Sequence, residues 1–278
     1  MKRRRLKLTF SKKWSAPFII FVIAGTVIPI LSIAYYGFTS REGGFTWDNV
    51  TAMFSANHMQ ALGLSLLLAL VSTLVCLILA FPMAMVLKDS RFGKQGFTIF
   101  VVILPMWMNF LLRTMAWQVL LERSGVINGI LQAIGLPRQE MMNTPGAVVL
   151  GMVYDFLPFM ILPIYNAVMK IDNHLIEAAY DLGAKKGYVY RKVILPLCIP
   201  GIVSGITMVF IPALTTFVIS NMLGGGKVNL IGNIIEQEFT VNSNWYLGSG
   251  LSLVMMVFII ISMVLLEKFD KTGEGTFI

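Results

Sequence analysis

The sequence predicts an all-α, polytopic membrane protein with six transmembrane helices. Apolar residues make up 56% of its 278 residues and charged residues only 13%, about half the share usual in soluble domains. The mean hydropathy is +0.77, and the apolar residues gather in runs long enough to cross a bilayer. This composition excludes a soluble globule, a disordered chain and a coiled coil. We expect one transmembrane domain over residues 1–278, because six spans leave room for loops but not for a large soluble domain.

Six apolar runs supply the expected spans. A basic stretch precedes the first run, as in a signal peptide, but this run is too long for one and no clear cleavage site follows it. We therefore interpret the first run as a retained helix. The expected limits are Trp14 to Phe38, Leu62 to Leu87, Phe97 to Leu121, Gly146 to Met169, Leu197 to Ser220 and Gly248 to Leu266.

The basic residues predict the orientation of these spans. If the amino terminus lies inside, the inner segments hold 17 of the 22 Lys and Arg residues, the outer loops hold four, and Arg113 falls within a span. The positive-inside rule then places both termini in the cytoplasm. Seven of the basic residues belong to a tail, residues 1–13, which we expect to contact anionic lipid rather than nucleic acid.

Small residues and prolines inside the spans indicate how the helices pack. Gly201 and Gly205 form a GxxxG pattern, which lets another helix approach closely. Cys76 and Cys198 are expected to be small buried residues, since their spacing fits neither a disulfide framework nor a metal site. Prolines that either break a helix beside a pathway or only shape its packing are Pro29, Pro82, Pro105, Pro158, Pro163 and Pro212.

The longest inner loop, residues 170–196, is predicted to form a short amphipathic helix. Asn173 can cap its start and Gly183 can end it in a left-handed conformation. A second helical stretch is expected from Lys185 and should stop before Pro196. Two interpretations remain open, a helix on the membrane surface and a helix that docks in a groove of a partner. The five basic residues of the loop favour the first, and the small area of its apolar face disfavours it; that face consists of Leu175, Ala178, Ala179 and Leu182.

This loop resembles the EAA loop of the permeases of ABC importers. The pattern is Glu177-Ala178-Ala179, then Gly183, Val193 and Leu195-Pro196, with Val193 where the family usually has Ile. The resemblance implies a type I ABC importer permease fold, in which a cytoplasmic coupling helix docks on a separate ATPase subunit. It assigns ATPase coupling to Glu177, Ala178, Ala179, Leu182, Gly183, Leu195 and Pro196.

Other motifs resemble the spermidine/putrescine permeases in particular. They include Leu104-Pro105-Met106-Trp107 with Asn109, Leu157-Pro158-Phe159-Met160, and Leu223-Gly224-Gly225. This resemblance implies a polyamine permease in the bacterial inner membrane. It also implies a heterodimer with a second homologous permease, ABC ATPase subunits and an extracytoplasmic polyamine-binding protein.

No cofactor and no metal are expected in this chain, and we do not expect it to be an enzyme. The sequence has no GxxxxGK followed by Ser or Thr, because Lys227 is followed by Val228. ATP should therefore be bound by the partner subunit. The glycines at 224–226 are expected to form a turn or a re-entrant element at the external mouth.

Two ionisable residues lie inside the predicted spans. At the rise of an α-helix, Arg113 lies about 12 Å below the outer end of the third span and Asp155 about 13 Å below that of the fourth. We expect the two to be neighbours that form an ion pair or share a wet cavity. Either the pair only orients two helices, or Asp155 attracts an ammonium group and Arg113 positions it.

A pathway for polyamines requires carboxylates and aromatic faces, because cations bind the faces of aromatic rings. For each aromatic candidate, packing in the core or against lipid is the alternative role. For the two glutamates, which lie in an outer loop, contact with a docked binding protein or water is the alternative. Besides Asp155 and Arg113, the candidates are Trp107, Asn109, Phe110, Trp117, Tyr154, Glu236 and Glu238.

Two other functions remain possible from the sequence. One is an ABC permease for another small solute, such as an inorganic anion or a sugar. The other is an ion-coupled secondary transporter, for which Asp155 could be the titratable residue.

Overall fold

The computed structural model describes residues 12–89 and 97–268. Five of its helices are long and apolar enough to cross a membrane, and there are six if one bent pair is counted as a single span. The predicted six-span, all-α architecture is therefore confirmed, with one span broken. Most of the predicted basic tail, the loop residues 90–96 and the carboxyl end from 269 onwards lie outside the described residues.

Span 1 is largely uncovered by the rest of the chain. It consists of the helices Lys12–Val22 and Ile28–Gly37 with a π-helical turn at Ile23–Val27 between them. None of its apolar window is buried, and its second half packs on span 6, where Gly37 lies against Leu253. A short helical turn, Asp48–Thr51, leads into span 2.

Spans 2, 4 and 5 form the centre of the bundle. Span 2 is Ala56–Asp89 and span 4 is Pro145–Met169. Span 5 reaches span 4 through its two glycines, as the GxxxG pattern predicts. A Cβ on Gly201 would lie 2.6 Å from the Pro163 carbonyl oxygen, and one on Gly205 would lie 2.7 Å from the Met160 sulfur. Both cysteines are buried and free, as expected.

Span 3 is broken, and the prediction of a single run from Phe97 to Leu121 was wrong in this respect. The arm predicted to be the inner one is Phe97–Ile103, followed by a 3₁₀ turn at Leu104–Trp107, and the arm predicted to be the outer one is Phe110–Leu121. The segments Phe100–Trp107 and Phe110–Ala133 are bent by 93° relative to each other. Pro105 cannot donate a backbone hydrogen bond, and the Asn109 side chain caps the new helix by accepting from the Leu111 and Leu112 N–H groups.

Span 5 begins earlier than predicted and runs through Pro196. It extends over Lys186–Thr215, with a π-helical turn at Tyr190–Ile194 immediately before the proline. The prediction that the preceding helix stops before Pro196 was therefore wrong. The wider π turn accommodates the ring and the missing N–H of the proline, which transmembrane helices tolerate when such local adjustments occur.

After span 5 the chain folds back into the bundle. A short helix, Val218–Gly224, is followed by Gly225 and Gly226, which both have positive φ angles, and by the re-entrant helix Ile231–Thr240. The Ile231 N–H donates to Ser65 Oγ at 2.8 Å, and Ser65 lies about 14 Å along span 2 from its outer end. The expectation of a turn or re-entrant element is thus confirmed. Span 6 follows at Trp245–Glu267.

Candidate functional site

The helix Asn173–Asp181, called the coupling helix below after its predicted role, is capped at both ends. Asp172 is the N-cap, since its Oδ1 accepts from the His174 N–H at 3.0 Å. The prediction that Asn173 is the cap was wrong by one residue. Gly183 has φ +79° and ends the helix as predicted. The Gly183 N–H donates to Tyr180 O and the Ala184 N–H to Ala179 O, the two bonds of a Schellman motif.

The coupling helix exposes most of its apolar side chains. Leu182 is 88% exposed and Leu175 is 52% exposed, and Ala178 is exposed as well. Ala179 instead is half-buried and packs, with Ile176, against the bundle. The prediction of one apolar face that includes Ala179 was therefore only partly right. A bare apolar surface of this kind requires a partner or a lipid to cover it.

The remaining predicted coupling residues lie at the same end of the molecule. Glu177 is exposed, and one of its carboxylate oxygens lies 3.4 Å from His174 Nδ1. Leu195 and Pro196 are exposed at the start of span 5, while Ile194 beside them is buried. The structure thus places the predicted coupling residues in two segments, 177–183 and 195–196, which are mostly exposed and are joined by the stretch 184–194.

Lys88 connects the end of span 2 to the residues that precede the coupling helix. This contact was not predicted from the sequence. The Lys88 ammonium group donates to the carbonyl oxygens of Val168 and Ile171, each at 3.2 Å. These carbonyls lie at the end of span 4 and in the short link to Asp172. A lysine at a helix carboxyl terminus satisfies carbonyls that have no partner within the helix. Only the position of Lys88 at the end of an apolar run could have indicated this role.

Arg113 and Asp155 form the ion pair that their depths predicted. Arg113 Nε lies 3.3 Å from Asp155 Oδ1, and the side chains are 6% and 1% exposed. The Thr114 hydroxyl donates to Asp155 Oδ2 at 3.2 Å. Arg113 Nε, Arg113 Nη1 and Asp155 Oδ1 have no well-aligned hydrogen bond in the described structure. The pair joins the outer arm of span 3 to span 4 inside the bundle.

The aromatic candidates are distributed over three places. Trp117 and Tyr154 meet edge to face at 5.4 Å and line a cavity of about 400 Å³ between spans 2, 3 and 4. Trp107 is 78% exposed at the break of span 3, where Asn109 acts as a helix cap. Phe110 is half-buried against the core. The structure therefore does not bring these candidates together into one site.

The two glutamate candidates lie on the re-entrant helix and have different surroundings. Glu236 lines a groove of about 510 Å³ between this helix, the end of span 5 and span 6. Glu238 does not line it and accepts a hydrogen bond from Asn242 instead. The sequence analysis missed the other walls of the groove, although Phe239 follows Glu236 by three residues, a spacing that places both on one helix face. The walls include Phe217, Phe239, Ser252, Met255 and Met256.

Comparisons with known proteins match almost the whole chain. A family model described as the binding-protein-dependent transport system inner membrane component matches residues 8–272. The spermidine/putrescine transport system permease protein PotB of Haemophilus influenzae is 35% identical over 270 residues, which cover 94% of each protein. PotB of Escherichia coli K12 is 35% identical over 238 residues, which cover 83% of this chain and 86% of that protein.

Solved structures show the same fold at low sequence identity. A bacterial ABC transporter involved in the import of the acidic polysaccharide alginate contains a chain with a TM-score of 0.81 and 17% identity. The match covers 95% of this chain and 96% of the other. At this identity the likeness concerns the fold alone, and it confirms the predicted type I ABC importer permease fold.

Proposed function

The chain belongs to the family of binding-protein-dependent transport system inner membrane components, and from that premise we propose that it is a permease subunit of an ATP-driven polyamine importer. As a member of this family it is a multi-pass protein of the inner membrane. The observation that supports polyamines most is the 35% identity to a spermidine/putrescine permease over 94% of both chains.

In the proposed mechanism, this chain forms half of the translocation pathway and a second homologous permease forms the other half. ATP is bound and hydrolysed by separate ABC ATPase subunits, and the exposed coupling helix docks in a cleft of one of them. The small side chain of Ala178 allows close approach of the two surfaces, and the 88% exposed Leu182 supplies an apolar anchor. Docking of the coupling helix covers this apolar surface without the helix entering lipid.

Movement of the coupling helix reaches the bundle through its packing contacts and through the links on either side of it. Ile176 and Ala179 pack against the core, and Lys88 fixes the link that precedes the helix to the end of span 2. Span 5 continues directly from the segment after Gly183. Displacement of the coupling helix therefore acts on spans 2, 4 and 5 together, which form the centre of the bundle.

The proposed orientation has both termini and the coupling helix in the cytoplasm. The distribution of Lys and Arg in the sequence supports it, through the positive-inside rule. In this orientation the re-entrant helix lies toward the outer face of the membrane, where an extracytoplasmic polyamine-binding protein would deliver its solute.

Uptake into proteoliposomes tests the proposed function. The complete complex would contain this chain, the second permease, the ATPase and the binding protein, with labelled spermidine, putrescine or sulfate outside and ATP accessible to the ATPase. We expect ATP-dependent uptake of the two polyamines and none of sulfate. Uptake of sulfate or a sugar without polyamine uptake would instead support an ABC permease for another small solute.

A further inference from the structure

The groove beside the re-entrant helix reaches the middle of the predicted membrane span. Its wall on span 6 runs from Ser252 to Ile260, about 10 to 22 Å from the outer end of that helix. Its upper wall is the re-entrant helix, whose first residue Ile231 is hydrogen-bonded to span 2. A volume of about 510 Å³ is in the range of small-molecule sites.

Glu236 is the one charged side chain among the described residues that line this groove. No described basic residue lies within ion-pair distance of its carboxylate. The Thr240 hydroxyl lies 2.9 Å from Glu236 Oε1 and 2.8 Å from the Glu236 carbonyl oxygen, and it can donate its one proton to either. A carboxylate beside apolar walls in a membrane is costly unless it has a cationic partner or faces water, so the groove is suited to a cation.

The other walls of the groove match a cation that has an apolar body. Phe217 follows the end of span 5, Phe239 belongs to the re-entrant helix, and Met255 and Met256 belong to span 6. Aromatic faces attract ammonium groups, while methionine side chains adapt to flexible apolar chains. The Ser252 hydroxyl donates to Gly248 O, and its oxygen remains able to accept from a ligand N–H.

We propose that this groove is a transit site for the transported polyamine, in which Glu236 binds an ammonium group and the phenylalanine and methionine side chains contact the methylene chain. The inference rests on the proposed function for the identity of the occupant. Gly232 allows this geometry, since its Cα lies so close to the broken end of span 5 that a Cβ would be 2.7 Å from Thr215 O. This approach brings Glu236 over the groove.

The first test compares Glu236→Gln with Glu238→Gln in the complete reconstituted complex. The second variant removes a carboxylate from the same helix outside the groove. We expect Glu236→Gln to lower the kcat/KM of spermidine uptake by about tenfold or more, because a charged hydrogen bond is lost, and Glu238→Gln to leave it unchanged. ATPase activity stimulated by the loaded binding protein should persist in both variants. Its persistence would show that the complex is assembled and that lower uptake reflects impaired passage of spermidine.

Cysteine labelling provides a second test that does not depend on transport. Met256 lines the groove, whereas Val241, just after the re-entrant helix, is 74% exposed and does not line it. Both native cysteines are fully buried, so a cationic methanethiosulfonate reagent should label only the introduced residue of this chain. We expect spermidine to slow the labelling of Met256→Cys and not that of Val241→Cys.

The outcomes separate the groove from the proposed function. If Glu236→Gln imported polyamine as well as the wild type, the groove would not be a transit site, but the proposed function would stand. The same would follow if spermidine did not slow the labelling of Met256→Cys. A wild-type complex that imports no polyamine would overturn the proposed function and, with it, the polyamine as occupant.

Discussion

At the scale of single residues, Asp155 is held on two sides, by the Arg113 guanidinium and by the Thr114 hydroxyl. Neither member of the ion pair lines the groove or the cavity beside Trp117. This arrangement favours the interpretation that the pair orients two helices. The role of Asp155 as a cation-attracting residue of the pathway stays a prediction.

Substitution of the pair distinguishes the two roles. If the pair positions span 3 against span 4, Asp155→Asn leaves Arg113 buried without a counter-ion and destabilises the chain by about 3–5 kcal/mol. The double variant Arg113→Gln/Asp155→Asn should recover most of that loss. Thermal unfolding of the detergent-solubilised complex measures both effects. Normal stability of Asp155→Asn combined with impaired uptake would support the pathway role instead.

The Arg113–Asp155 contact was predictable because helices rise by a constant distance per residue. The depth of each of the two residues in the membrane followed from its position along its helix, once the outer ends of the two spans had been predicted. The capping role of Asn109 was not predictable in the same way, since the resemblance to a family assigns a residue to a motif without stating what its side chain contacts. The groove around Glu236 was missed because Phe217 and Ser252 come from distant parts of the chain.

At the scale of helices, the end of the coupling helix depends on Gly183. Its φ of +79° lies in a region that costs other residues about 1–2 kcal/mol. We expect Gly183→Ala to displace the Schellman turn and to weaken both ATPase binding and uptake. Gly187→Ala is the matched control, since Gly187 lies in a helical turn without a positive φ and nothing lies within 4 Å of its added Cβ.

Co-purification of the ATPase with each glycine variant, together with ATP-driven spermidine uptake, checks this expectation. Gly187→Ala should behave as the wild type. If Gly183→Ala also retained full ATPase binding and uptake, the turn at Gly183 would not determine how the coupling helix docks.

Lys88 gives a second prediction at the same scale. Loss of its two hydrogen bonds in Lys88→Met frees the link before the coupling helix from span 2. We expect more ATP to be hydrolysed for each spermidine imported, because movement of the coupling helix is transmitted less completely. Lys88→Arg keeps donors at this position and should restore the ratio in part. The measurement is the ratio of phosphate released to spermidine imported, and an unchanged ratio in Lys88→Met would show that the tether has no part in coupling.

Hydropathy does not predict which prolines break a transmembrane helix. Spans 2 and 4 continue as helices through their prolines. These prolines are Pro82 in span 2 and Pro158 and Pro163 in span 4. Pro105 instead precedes a 93° bend. The difference is Asn109, whose side-chain oxygen accepts from two backbone N–H groups at the start of the next helix. A count of apolar residues does not detect such a cap.

At the scale of the whole molecule, the bundle is built around spans 2, 4 and 5, while span 1 has no buried residues in its apolar window. The hydrophobic runs and the resemblance predicted the number of spans and their order. The sequence did not predict how much of each span faces the rest of this chain, because in a membrane protein lipid-facing and core-facing residues are both apolar. The uncovered apolar surface is consistent with a permease that is half of a heterodimer.

The central claim is that this chain imports polyamine with energy from ATP that another subunit hydrolyses. Leu182→Asp places a charge on the 88% exposed leucine that immediately follows the coupling helix, and Leu136→Asp, at an exposed leucine of a predicted outer loop, is its control. Both variants and the wild type would be tested for spermidine uptake in proteoliposomes with and without ATP and the ATPase. We predict uptake only with both, lost in Leu182→Asp and kept in Leu136→Asp. Uptake driven by an ion gradient in vesicles that lack the ATPase would contradict the account and favour a secondary transporter.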